Sequence, residues 1–193
     1  MSDVQQAEHP VAAVVARAVV ASAEQVMRES GGMQIPTVYL FADDLDQPYA
    51  GYVRCRPFYR GADAARAIAR LGELPASMYA TRLLLAWEHC DLLTALNAPG
   101  EAFPTALVTV EATFTGHILT WQPFTFTWGP DSEYGAPTVL PSWQRPTSQP
   151  DAPLPRPMRA ALDRWRALVA ADFDPTTAGL QRDGYTVCFF PRT

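Results

Sequence analysis

Residues 86–91 read Ala-Trp-Glu-His-Cys-Asp, so an acid, an imidazole, a thiol and a second acid occupy consecutive positions at Glu88, His89, Cys90 and Asp91. A cysteine beside a histidine is the raw material of a nucleophile pair, and a carboxylate there can move protons. Backbone geometry decides whether they meet. In a strand, Glu88 and Cys90 share one face while His89 points to the other. In a helix, Glu88 neighbours Asp91 at a spacing of three, and His89 lies about 100° away. Neither geometry gathers all four. Glu88 is left as the candidate catalytic residue, because it ends an apolar run where crevices form at the carboxyl ends of strands. The structural alternative makes Cys90 core, Asp91 a helix cap and Glu88 the end of a buried element.

A second group is Phe-Ala-Asp-Asp-Leu-Asp at 41–46. Two carboxylates of this set, Asp44 and Asp46 with Asp43 beside them, can hold a divalent cation such as Mg²⁺, water filling its other positions. Aspartates are also common turn formers between two strands. Arg54 and Arg56, within Arg-Cys-Arg-Pro-Phe-Tyr-Arg, fall on one strand face and can cradle a phosphate, stack on a base or pair with local aspartates. Phe124, Phe126 and Trp128 alternate with Thr125 and Thr127, which makes one strand face wholly aromatic. That face is either core or an apolar edge that a partner covers. His9, His89 and His117 are too far apart for a metal-ligand spacing.

Composition excludes several chemistries. All 15 basic residues of the 193 are arginine, so a lysine Schiff base and a P-loop lysine are both ruled out. The net charge of −5 disfavours general nucleic-acid binding. Absence of lysine with abundant alanine and proline points to G+C-rich, bacterial coding. Cysteines at 55, 90 and 188 are odd in number and widely spaced, which reads as reduced thiols of the cytoplasm. Near the N-terminus, Asp3, Glu8 and Arg17 interrupt what would otherwise resemble a signal peptide, so residues 10–29 read as a helix. No run approaches the roughly 18 uninterrupted apolar residues of a membrane span.

The elements that must position these groups follow from periodicity. The first helix opens at Pro10, stops at Gly31-Gly32 and offers Val11, Val14, Val15, Ala18, Val19, Ser22 and Val26 as its packing face. A hairpin follows over 37–42 and 49–55, then a helix from Asp63, its expected N-cap, to Leu71. Segment 76–97 fits one helix or a strand followed by a short helix; the three-leucine run and an Asp91 cap favour the second. A further hairpin pairs 105–114 with 117–128, and Pro123 forces a bulge or an edge. Eight prolines in 129–157 predict an extended surface segment without regular structure. An amphipathic helix over 158–171 and a strand over 185–190 complete the chain.

This order predicts a single α+β domain over 1–193, with a mixed or mostly antiparallel sheet built from hairpins and covered by helices. The expected function is a non-enzymatic binding or assembly module that associates with copies of itself, with no resident cofactor and no membrane. The alternative is a small metal-assisted hydrolase or transferase using Glu88 with Asp43, Asp44 or Asp46.

Overall fold

The computed structural model describes residues 10–100, 102–133, 135, 137–168 and 172–190. In chain order the elements are α1 (Pro10–Ser30), β1 (Thr37–Phe41), β2 (Tyr49–Arg54), α2 (Ala62–Ala69), a 3-10 turn (Arg70–Gly72), α3 (Glu73–Ser77), β3 (Arg82–Glu88), α4 (His89–Ala95), β4 (Ala106–Ala112), β5 (His117–Asp131), β6 (Pro137–Trp143), β7 (Thr147–Pro150), α5 (Arg156–Arg166), α6 (Phe173–Arg182) and β8 (Thr186–Phe189). The strands form one sheet in the order β6-β5-β4-β3-β1-β2-β8, with β7 also on β5. Every pairing is antiparallel. The α+β expectation therefore holds in its antiparallel form.

Helices cover both faces. On one, Leu83, Leu85 and Trp87 of β3 meet Ile68, Leu71, Met158, Leu162 and Trp165. On the other, Leu84 and Ala86 join Phe41, Leu107 and Phe124 beneath α1. A central strand buried on both faces explains why Leu83–Trp87 is uniformly apolar. Segment 76–97 resolves into strand then helix.

Several expectations are corrected. The side of α1 on the sheet is Ala12, Val19, Ala23 and Met27, whereas Val14 is 56% exposed and Val26 40%. Both sides of this helix are apolar, so periodicity could not choose between them. By length and composition α1 is apolar enough to cross a membrane, yet here it packs on the sheet and Trp143 donates its indole N–H to Glu24 at 2.8 Å. The proline-rich segment is not free of regular structure, because 137–143 and 147–150 are strands. Both lie on the outer side of β5, and an outer strand needs ladder hydrogen bonds on one side only, which proline tolerates. Pro123 falls where β5 passes from β7 to β6, and its carbonyl accepts the N–H of Gln144 at 2.9 Å. Of the stripe expected on a helix over 158–171 (Met158, Ala161, Leu162, Trp165, Leu168 and Val169), the first four are buried; the helix ends at Arg166, which leaves Leu168 39% exposed in a left-handed conformation, and Val169 lies outside the described residues. The sequence pattern does not reveal α6, because Pro175, two threonines and Gly179 obscure its periodicity.

Candidate ligand-binding cleft

The end of the sheet where β3 begins carries a cleft of about 900 Å³. Four pieces of chain build it. The first is the β1–β2 connection. Pairing of Phe41 with Tyr49 skips Ala50, and this bulge turns Tyr49 toward the α1 side of the sheet while Ala50 packs on the opposite side. The connecting loop closes through Ala42 N–H to the Pro48 carbonyl at 2.8 Å. It is anchored to β3 by Asp43, whose N–H donates to Thr81 Oγ1 at 2.8 Å and whose carboxylate meets Arg82 at 3.2 Å. Asp44 and Asp46 stay exposed beyond that anchor, and Asp46 lines the cleft.

The second piece is β8. Gly51 pairs with Phe189, and the N–H of Phe190 donates to the Ala50 carbonyl at 3.1 Å. Phe190 lies 5.0 Å from the Tyr49 ring. Gly51 is required for this approach: its φ is +149°, and a Cβ there would stand 2.1 Å from the Cys188 carbonyl oxygen. The third piece is the start of α6, where Phe173 packs against Phe189 at 5.2 Å. The fourth is the α3–β3 connection, Ser77 to Tyr79. Tyr79 is held at φ +54° after the end of α3 and is 65% exposed. That is the left-handed position where glycine usually ends a helix. A bulky residue there carries backbone strain.

Burial raises the Tyr49 phenol far above its ordinary value, with Tyr39 and Tyr52 nearby adding to the shift. Tyr49 therefore presents a neutral ring at neutral pH. The cleft offers aromatic surface from Tyr49, Tyr79, Phe173, Phe189 and Phe190, with the Asp46 carboxylate and the Gln47 amide at its loop side. Predominantly apolar walls with few polar groups, at this volume, are the ordinary make-up of a small-molecule site.

The residues singled out from sequence fall elsewhere, Asp46 excepted. Glu88 is 2% exposed and accepts three backbone N–H groups, from Cys90 at 3.1 Å, Asp91 at 2.6 Å and Ala106 at 3.2 Å. Glu88, not Asp91, is the cap of α4. Burial raises its pKa, opposed by those N–H groups. His89 meets the Trp121 ring edge-on at 4.6 Å, and burial lowers its pKa. Cys90 and Asp91 are both raised by burial. Glu88 and the Asp43–Asp46 loop sit at opposite ends of β3, about 20 Å apart for a seven-residue strand. The structure does not bring them together.

Arg54 lies over the Tyr52 ring at 5.6 Å. Arg56 is engaged by Asp63 at 2.6 and 3.1 Å. Asp63 is not the cap of α2; Gly61 holds that position, and Asp63 accepts the N–H of Tyr59 at 2.9 Å. Phe124 is buried core, Phe126 is half-buried against it, and Trp128 is 66% exposed. Among the described residues, no three His, Cys, Asp or Glu side chains are grouped to share a metal.

Sequence reasoning missed the cleft because its rings lie on separate segments, each unremarkable alone. The one local signal was the loop acid Asp46. The fold and site define an α+β protein with an aromatic cleft at one end of an antiparallel sheet. Comparison with protein-family models, curated proteins and solved structures finds no match for the chain.

Proposed function

We propose that the protein is a non-enzymatic binding module whose small-molecule ligand seats in the cleft between Tyr49, Tyr79, Phe173 and Phe190. The observation carrying this reading is the convergence of aromatic rings from four separate pieces of chain around one open volume. Two further observations support it. Glu88, the buried carboxylate, is committed to three backbone N–H groups, and it stands at the far end of β3. Tyr79 is kept in a conformation that costs folding energy at the cleft mouth. The free thiols Cys55, Cys90 and Cys188 fit a reducing compartment, the cytoplasm. The test is a thermal-shift screen of aromatic and alicyclic fragments against wild type and Phe190→Ala. Hits that raise the melting temperature of wild type and not of the variant support the reading. A screen in which the two proteins respond alike counts against it.

A second reading, self-association, rests on Trp128, whose ring is exposed beside Phe126 on the arm formed by β5 and β6. Exposed tryptophan is a frequent interface anchor. Light scattering across a concentration series tests it. Growth in mass that Trp128→Ala abolishes supports association, and a constant monomer mass excludes it.

A further inference from the structure

We propose that the ligand of this cleft is an organic cation, an ammonium or guanidinium group carried on an apolar body. The inference rests on the cleft being a binding site and names the charge class it selects. Asp46 is the one charged residue among the described residues lining the cleft. No described basic side chain pairs with its carboxylate. Arg82, at the same end of β3, is already engaged by Asp43 at 3.2 Å and Glu111 at 2.5 Å. The site therefore has uncompensated negative charge at one side.

The rings supply the second, independent half of the selection. Aromatic faces carry partial negative charge and attract ammonium and guanidinium groups placed within about 6 Å of their centroids. Tyr49 and Phe190, 5.0 Å apart and tilted by 43°, form one wall; Phe173 and Phe189, 5.2 Å apart and tilted by 53°, form another. Tyr79 stands exposed at the mouth. Several rings and one carboxylate around a single volume are the residue types with which proteins take up quaternary ammonium groups. An anion would meet the ring faces and Asp46 with the wrong sign. A neutral ligand would gain the apolar contact and nothing from Asp46.

Three probes of similar body and different charge test this: benzyltrimethylammonium, benzyl alcohol and phenylacetate, each titrated by ligand-observed NMR at low salt. The expected order is the ammonium tightest, by about tenfold over benzyl alcohol, with phenylacetate weakest. Asp46→Asn weakens the ammonium about fivefold and leaves benzyl alcohol unchanged. Phe190→Ala weakens both. Added salt diminishes the Asp46-dependent part. If benzyl alcohol or phenylacetate binds wild type as tightly as the ammonium, the cation assignment is overturned while the cleft stands as a site. If none of the three binds, cleft and assignment fall together. Because Asp46 is an exposed loop residue, its variant keeps the fold and the comparison remains valid.

Discussion

Glu88 accepts the backbone N–H of Asp91 at 2.6 Å, so the residue that ends β3 also starts α4. Its second oxygen takes the N–H groups of Cys90 and Ala106, which ties that junction to the first residue of β4. A strand-to-helix corner buried in this way needs an acceptor for its first amides, and a glutamate at the corner provides it.

Replacing Glu88 by alanine strands those donors and costs about 2 kcal/mol or more in urea unfolding. The pH dependence separates charge from shape. Burial raises the folded-state pKa above the ordinary 4.5. The folded protein therefore holds a proton that the unfolded chain has released, and stability falls as pH rises from 4.5 toward the raised value. Glu88→Gln removes that slope. A variant whose unfolding free energy keeps the wild-type pH profile across that range contradicts the assignment.

Asp63 shows the opposite sign. The Arg56 guanidinium, with the Tyr59 N–H, lowers its carboxyl from 3.8 to about 2. Its contribution is complete above 3.8 and disappears as pH falls through about 2. Acid unfolding followed by circular dichroism should be less steep in that window for Asp63→Asn than for wild type.

Gly51→Ala places a methyl group against the Cys188 carbonyl at a backbone angle side chains rarely adopt. The expected loss is about 2 kcal/mol or more, with β8 released first. Hydrogen exchange reads this directly: amides of β8 lose protection in the variant while those of β3 and β4 keep theirs.

Tyr79→Gly has the reverse profile. Glycine accepts the left-handed conformation without strain, and the tyrosine ring buries little surface. Stability should be unchanged or rise by up to about 1 kcal/mol in thermal unfolding. Binding of benzyltrimethylammonium should weaken at the same time. Loss of stability would show that the ring serves the fold instead.

Mg²⁺, Mn²⁺ or Zn²⁺ should leave the melting temperature unchanged, because the Asp43 carboxylate is already held by Arg82 and Glu88 lies at the other end of β3. A metal-induced rise abolished by Asp44→Asn or Asp46→Asn would restore the loop as a metal site.

The sequence by itself determined much of the local structure. Two strand-forming runs on either side of Thr115-Gly116 specified the β4–β5 hairpin, and Gly31 marked the end of α1, because local propensity and turn chemistry act over a few residues. It also showed that Glu88, His89, Cys90 and Asp91 could not converge, since that follows from backbone geometry alone. Where two faces were equally apolar, as on α1, or where edge placement excused proline, as in β6, the pattern was silent or misleading. The cleft was beyond reach for a different reason. Tyr49, Tyr79, Phe173 and Phe190 are distant in sequence, and only the order β1-β2-β8 and the docking of α6 on β8 bring their rings together. Strand order and helix docking are decided by long-range burial and pairing, which no local window contains.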